Sequence, residues 1–265
     1  MDAHDTSKQP DITVSRGWKE TGKHVWSPYV IKLEARLRFA GVRYTTDVGS
    51  LKTAPKGKIP YIEVRDPSFA SPLLLSDSSL IIRNLTEQGT LPDLNCRLGP
   101  AEQSHDMALR ALLEDKLYFY QAYERWIQNY YTMRDHVLWS IPYPIRVLVG
   151  ILVYRKTTAT LHGQGTGRFT ADEIAAFRLE IWEGLSALLV ASRSRNKSGD
   201  SDPFWALEGD HPTEADACLF AFIVSTLIAT ASPDSQNVIK SFPVIPDYAS
   251  RIHDRYFPDY EKWTI

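Results

Sequence analysis

The chain has 265 residues, of which 43% are hydrophobic and 23% are charged, a composition typical of a globular protein with one or two domains. Its 30 basic and 32 acidic residues give a net charge of −2, which argues against nucleic-acid binding because such proteins usually carry a basic excess. The two cysteines, Cys96 and Cys218, are far apart and form neither a disulfide framework nor a metal-binding spacing. We therefore expect a protein of a reducing compartment with no metal site.

The N-terminus and two apolar runs bear on where the protein resides. The first ten residues lack the apolar core of a signal peptide, so we expect a disordered tail and a cytoplasmic protein. The runs Leu138–Tyr154 and Ala217–Ala231 are shorter than the ~20 residues that a membrane span requires. We therefore expect no membrane span, and we interpret both runs as buried core helices.

Residues 11–90 alternate between strand and helix patterns. An alternating pattern begins at Asp11, and Ser27 followed by Pro28 is typical of a helix start. Further strand patterns occur at 42–48, 61–64 and 73–75, and a further helix pattern at 77–88. The sequence predicts an α/β domain with a mixed four-stranded sheet and a right-handed strand–helix–strand crossover.

After Pro100 the periodicity is helical only, beginning with one long helix over 101–134. Two later helices start with capping boxes, Thr170 with Glu173 and Thr213 with Asp216. The predicted organisation is a tail at 1–10, an α/β domain at 11–90, a linker at 91–100 and an all-helical domain at 101–265.

A proline stands directly before the third predicted strand, in Lys58-Ile59-Pro60. If the Ile59–Pro60 bond is cis, the backbone groups of Ile59 turn outward and can pair with an extended peptide. We predict the cis isomer; the alternative is a trans proline that only starts the strand.

Two predicted helix starts carry polar side chains. Asp77-Ser78 lies where the fourth strand becomes a helix, whose free amides suit a carboxylate while the aspartate can accept from an ammonium. Ser27, at the first helix start, can donate to a thiolate and lower the pKa of that thiol. In both cases an ordinary helix cap is the alternative.

Together these three motifs resemble the glutathione site of the glutathione transferase superfamily. Residues 1–90 resemble its thioredoxin-like N-terminal domain, with Ser27-Pro28-Tyr29 similar to the serine-type classes and Asp77 standing where a glutamate is more usual. Gly209–Asp216 resembles the capping-box motif of the superfamily's helical domain. The resemblance implies the glutathione transferase fold over nearly the whole chain.

Within that superfamily, three stretches resemble the failed-axon-connections/metaxin-like branch: 32–38, 54–63 and 165–173. The chain departs from ordinary members in a longer loop before Ser27 and in an insertion at 135–165. Solitary fungal members of similar type often serve natural-product pathways, so the resemblance implies a fungal protein with a role in secondary metabolism.

The resemblance assigns the parts of glutathione to individual residues. Ile59 would pair its backbone with the cysteinyl part across Pro60, and Ser27 would polarise the sulfur, with Tyr29 as the second candidate. The glutamyl and glycyl ends would be held by polar side chains: Asp77 and Ser78 for the γ-glutamyl group, Lys56 and Lys58 for the glycyl carboxylate.

A hydrophobic electrophilic small molecule would then lie between Tyr29 and the aromatic residues of the first long helix of the second domain. Those residues are Tyr118, Tyr123 and Trp126. Aromatic stripes at helical spacing are more often core, and that interpretation stays open here.

Two classes of function follow. As an enzyme, the protein would add the glutathione thiol to an electrophile, giving either a conjugate or a cis–trans isomerised alkene with glutathione regenerated. As a metaxin-like adaptor, it would use the same fold for protein contacts without catalysis. A homodimer is a candidate assembly in either case, and retention on immobilised glutathione would separate the two classes.

Overall fold

The computed structural model describes residues 10–66, 71–195 and 202–264, so the expected tail lies outside them except for Pro10. The N-terminal part contains four strands, β1 (Asp11–Ser15), β2 (Thr45–Asp47), β3 (Tyr61–Arg65) and β4 (Leu73–Ser76), and two helices, α1 (Pro28–Phe39) and α2 (Ser78–Glu87). The sheet order is β2-β1-β3-β4, with β1 parallel to β2 and antiparallel to β3. The predicted mixed four-stranded sheet is confirmed.

The core of this part lies between one face of the sheet and the two helices. Alternate strand residues point to the same face, which buries Val14 of β1 and Ile62 of β3. They pack with Leu33 and Leu37 of α1 and Ile81 of α2. The helical side chains recur at three- and four-residue spacing, so local pattern and packing agree.

The second part consists of helices and the segments that connect them, and it contains no β-strand among the residues that the structure describes. Its helices are α3 (Pro100–Ala111), α4 (Tyr118–Tyr123), α5 (Tyr130–Val137), α6 (Tyr143–Gln164), α7 (Ala171–Arg195), α8 (Glu214–Ile228), α9 (Pro233–Lys240) and α10 (Val244–Tyr256). Both capping boxes form: the Glu173 carboxylate accepts from the Thr170 amide at 2.8 Å, and Asp216 from the Thr213 amide at 2.7 Å.

The expected single helix over 101–134 is wrong in detail. Two π-helical segments, Leu112–Leu117 and Glu124–Gln128, interrupt it, and Asn129 separates the last of them from α5. A π turn adds a residue and shifts the helical phase. The second segment brings Glu124 and Arg125 into the interior.

Only one of the two apolar runs is a buried helix. Helix α8 is buried along almost its whole length and packs extensively against α1. The later part of the run Leu138–Tyr154 instead forms the beginning of α6, where Leu148 and Leu152 are each 65% exposed. Since only one face of α6 finds packing partners, the expectation of a core helix is wrong there.

Among the described residues, no single helix is long and apolar enough to cross a membrane. Helices α8 and α9 are long and apolar enough for a membrane span only when they are taken together, and a bend of 118° separates them.

The long connection between β1 and α1, residues 16–27, is fixed to both parts of the molecule. Arg16 is buried, lies 3.3 Å from the Glu34 carboxylate and donates to the Glu20 carbonyl at 3.0 Å. His24 is buried as well and shares a 3.1 Å hydrogen bond with His253 of α10. The connection is therefore a packed element whose position is set by the C-terminal helices.

Candidate active site

Three strand ends meet at one edge of the sheet. Tyr61 of β3 lies opposite Ser15 of β1 on one side and Ser76 of β4 on the other. Pro60 and Asp77, the next residues outward, therefore lie side by side at that edge. The Ile59–Pro60 bond is cis, so the predicted isomer is confirmed.

The start of α2 is closed by its own N-cap. One Asp77 carboxylate oxygen accepts from the Ser79 amide at 3.1 Å and the Leu80 amide at 3.2 Å. Asp77 has φ 75°, a backbone conformation that residues other than glycine rarely adopt. The carboxylate thus caps the helix, and its second oxygen remains for another donor.

Side chains beside Asp77 form a polar corner. Ser78 is buried at the first position of α2. Lys32 of α1, itself buried, donates to the Ser79 hydroxyl at 2.8 Å and pairs with Glu114 at 2.5 Å. A carboxylate with a free oxygen beside a helix start fits a ligand that carries both an ammonium and a carboxylate.

Sequence reasoning missed Lys32 and Glu114 as site residues. The signal was weak, because Lys32 lies between the buried Ile31 and Leu33 but is one of four charged residues of α1. A lysine is rarely buried without a partner, so this position called for a carboxylate from another element.

The start of α1 differs from that of α2. Ser27 occupies the N-cap position before Pro28, but its hydroxyl makes no capping hydrogen bond. The preceding carbonyl, that of Trp26, accepts from Arg125 at 2.9 Å. The half-buried Ser27 hydroxyl is therefore free to donate, on a backbone fixed from the helical part.

Arg125 is a buried cation held by uncharged oxygens. It donates to the Ser232 hydroxyl at 2.7 Å and the Ser225 carbonyl at 3.0 Å, in addition to Trp26. Burial lowers the pKa of its guanidinium to about 10, which still leaves it charged near neutral pH. The Arg125 guanidinium therefore binds the carbonyl of the residue directly before Ser27, and Arg125 is a third site residue that sequence reasoning missed.

Two tryptophans of the connection between β1 and α1 stack with a histidine of α5. His136 of α5 lies between Trp26, at 3.5 Å between ring centroids, and Trp18, at 4.2 Å. Burial, reinforced by the charge of Arg125, lowers the pKa of His136 to about 4, so the ring is neutral at pH 7. A cavity of about 240 Å³ lined in part by these three rings opens beside them and extends to Trp263.

The aromatic residues predicted for the electrophile are only partly brought together. The ring centroids of Tyr29 and Tyr118 are 5.2 Å apart, and Phe222 of the buried α8 lies 6.3 Å from Tyr29. Burial raises the pKa of the Tyr29 hydroxyl, which disfavours its anionic form. Tyr123 and Trp126 are half-buried further along, without a ring contact to this pair among the described residues.

Lys56 and Lys58 are exposed on the segment that leads to the cis proline. Neither has an ion-pair partner among the described residues. Both are free to approach an anionic group near Ile59, so their placement fits the terminal carboxylate of a peptide ligand.

Comparison with known proteins agrees with this architecture. Residues 28–133 match the family described as the glutathione S-transferase N-terminal domain. A protein named Failed axon connections from Drosophila melanogaster is 27% identical over 252 residues, which cover 89% of this chain. They cover 56% of that protein, so the chain spans about half the length of this curated relative.

Solved structures show the same fold at low sequence identity. A glutathione transferase family member from Pseudomonas fluorescens, solved with two glutathione bound, is 13% identical with a TM-score of 0.56, covering 96% of this chain and 92% of its own. A glutathione S-transferase from Rhodospirillum rubrum is 16% identical with a TM-score of 0.55, covering 96% and 93%. The chain therefore has the glutathione transferase fold, and its residues 28–133 match the N-terminal domain family of the glutathione S-transferases.

Proposed function

We propose that the protein binds glutathione at the edge formed by Ile59, Asp77 and Ser27, activates its thiol and adds it to an electrophilic small molecule. One observation carries the proposal: the cis proline and the α2 start lie side by side, while the α1 serine hydroxyl remains uncommitted. When bound, glutathione supplies the nucleophilic thiol. The remaining roles belong to residues of this chain.

The polar corner at α2 receives the γ-glutamyl end. The free oxygen of Asp77 accepts from the ammonium group, and Ser78 at the helix start donates to the carboxylate. Lys32 adds a buried positive charge next to Ser79 on the same side. Ile59 pairs its backbone with the cysteinyl unit, and the exposed Lys56 and Lys58 meet the glycyl carboxylate.

Ser27 activates the thiol by donating a hydrogen bond to the sulfur, which stabilises the thiolate over the thiol. The charge of Arg125, held directly behind Trp26, acts in the same direction. The thiol proton leaves to water, a sulfur–carbon bond forms, and the neighbouring carbon of the acceptor takes up a proton. Elimination after bond rotation would instead return an isomerised alkene, so conjugation and isomerisation share the step that Ser27 assists.

The acceptor is an apolar electrophile, such as an α,β-unsaturated compound of secondary metabolism. Two aromatic regions border Ser27: the pair Tyr29 and Tyr118, and the cavity beside Trp26 and His136. Tyr123 and Trp126 lie further along the same helical stretch and make no ring contact with this pair among the described residues. Substitution of Tyr118 and of Trp18 in separate variants would show which region sets the KM for the acceptor.

Titration calorimetry with glutathione and S-methylglutathione tests the proposal, together with the ultraviolet absorbance of the thiolate across pH. We expect both ligands to bind, and the bound thiol to titrate below its pKa in free glutathione. Binding of both with an unshifted thiol pKa would contradict the transferase and leave a glutathione-binding adaptor. Absence of binding by both would contradict the glutathione site as a whole.

The adaptor remains the second candidate because the named relative at 27% identity is not called a transferase. An adaptor needs no uncommitted hydroxyl at Ser27. Loss of the shifted thiol pKa in a Ser27→Ala variant therefore separates the two functions.

A further inference from the structure

Helix α6 presents an apolar face that nothing in the described part of the chain covers. Ile145, Leu148 and Leu152 are 55%, 65% and 65% exposed, and their spacing of three and four places them on one side of the helix. Single exposed leucines are ordinary, but a contiguous row indicates a surface that meets another apolar phase.

The opposite side of α6 is the side that packs onto the protein. A side chain at Gly150 would come within 2.6 Å of the Tyr130 hydroxyl and 2.7 Å of the Arg134 side chain, so α5 approaches closely there. Leu161, three turns later on the same side, is buried. Ile145, Leu148 and Leu152 therefore lie on the side of α6 that faces away from the protein.

The charged residues of the helix that carries this row have one sign. From His136 to Ala171 the sequence contains four Arg or Lys residues and no Asp or Glu. Arg155 and Lys156 follow Leu152 by about one turn, are exposed, and have no ion-pair partner among the described residues. An apolar row continued by unpaired cations complements an anionic, apolar-cored surface.

A second copy of the chain fits this face poorly. In a two-fold symmetric contact the same patch meets itself. Such a contact would set Arg155 and Lys156 of each copy against a segment of the other that contains no carboxylate to pair with them. The geometry points to a membrane instead: we propose that α6 lies flat in the interface of an anionic lipid bilayer, with Ile145, Leu148 and Leu152 inserted and Arg155 and Lys156 at the headgroups.

Vesicle flotation of the full chain tests this proposal, with phosphatidylcholine vesicles and with vesicles containing 30% phosphatidylserine (composition chosen for a strongly anionic surface, roughly that of a charged leaflet). We expect floating protein with the anionic vesicles, less with the neutral ones, and release of the bound protein by salt. Leu148→Glu/Leu152→Glu should lower partitioning about 100-fold or more, because two inserted side chains are lost.

The matched control is Met107→Glu/Val190→Glu, which adds the same charge at two exposed apolar positions, 61% and 55% accessible, on α3 and α7. It should float like the parent chain. Arg155→Gln/Lys156→Gln should weaken binding to anionic vesicles about 30-fold while hardly affecting neutral ones. Circular dichroism should stay unchanged in all three variants, because every substituted side chain is exposed.

Equal flotation of the Leu148→Glu/Leu152→Glu variant and the control would overturn the proposal, as would absence of floating protein with anionic vesicles. A parent chain that is dimeric by light scattering, and monomeric only in the Leu148→Glu/Leu152→Glu variant, would also overturn it. That result would assign the face to contact between copies of the chain.

Discussion

The two helices beside the candidate glutathione site begin in different ways. At the start of α2, Asp77 uses its carboxylate to cap its own helix, and the contacts are two and three residues away. At the start of α1, Ser27 leaves its hydroxyl unused while Arg125, almost a hundred residues away, holds the carbonyl before it. A helix start that is capped by its own side chain suits the binding of a ligand. A helix start with a free hydroxyl, held in place by a residue from the helical part, suits the activation of a ligand atom.

The largest expected effect concerns Arg125, which holds the start of α1 from the helical part. Arg125→Met should lower the free energy of unfolding by about 2–4 kcal/mol, because buried oxygens of Trp26, Ser225 and Ser232 lose their donor. It should also raise the pKa of the bound thiol by removing a positive charge. Urea unfolding and thiolate absorbance measure the two effects separately.

Arg125→Lys is the control, since it keeps the charge and loses part of the hydrogen bonding. We expect it to be destabilised but to keep a lowered thiol pKa. A methionine variant with the parental thiol pKa would mean that Arg125 only supports the fold.

The second prediction separates capping from binding at α2. Asp77→Ala should weaken glutathione binding by about 1–3 kcal/mol, the range for hydrogen bonds to charged groups. It should also lower the free energy of unfolding by about 0.5–2 kcal/mol through loss of the N-cap. Calorimetric titration and urea unfolding report the two quantities.

Asp77→Asn sharpens this test, because asparagine caps helices as well as aspartate and tolerates the positive φ at this position. We expect parental stability together with weakened binding of glutathione. Parental affinity in this variant would show that the carboxylate is a cap and nothing more.

The third prediction concerns activation at α1. Ser27→Ala should raise the bound thiol pKa by about one unit, which corresponds to about 1.4 kcal/mol and a tenfold loss of turnover near neutral pH. Glutathione affinity and the free energy of unfolding should hardly change, because the hydroxyl makes no capping bond. The loss of turnover should shrink as pH rises past the thiol pKa of the variant.

Ser27→Thr keeps a hydroxyl and is the control; it should retain a lowered thiol pKa. Superimposable thiolate titrations of the parent and Ser27→Ala would assign activation to another group. The Tyr29 hydroxyl is a poor substitute, because burial raises its pKa.

The smallest effect is a dependence of stability on pH at the rings beside Ser27. His136 has a pKa of about 4 in the folded chain, below its ordinary value of 6.5, so the unfolded chain binds more protons between these values. Stability is therefore fully present above pH 6.5 and falls as pH decreases towards 4. We expect a loss of about 1 kcal/mol, reduced because water partly screens the half-buried ring.

His136→Phe keeps the stacking on Trp18 and Trp26 without a titrating group. Urea unfolding at pH 7.5 and 4.5 should show a smaller acid loss in this variant than in the parent chain. An equal loss would place the acid sensitivity elsewhere, with the buried pair of His24 and His253 as the next candidates, since burial lowers both of their pKa values.

The sequence predicted the fold well where the signal is local. The strands were readable from alternation, α1 from Ser27-Pro28, and both capping boxes from residues three apart. The cis bond before β3 was readable from Pro60 in its context. The boundaries of β2 were too wide, because Val42 and Tyr44 pack into the core without joining the strand ladder.

The helices α6 and α8 show that an apolar run in the sequence does not by itself predict a buried helix. Both come from apolar runs of similar length, yet α8 lies at the centre of the helical part and α6 contacts the protein along one side only. Composition measures what a segment gains from leaving water, whereas burial depends on which other elements surround it. The sequence of this run therefore does not show what the exposed face of α6 contacts.

The sequence by itself determined the order of strands and helices, the helix starts at Ser27 and Asp77, and the proline that enters β3. These features depend on backbone preferences and side-chain contacts a few residues long. Only the tertiary structure decided that the Ser27 hydroxyl stays free, that Arg125 holds Trp26, and that Lys32 meets Glu114. A buried charge must find its partner in space, and sequence distance does not set that choice.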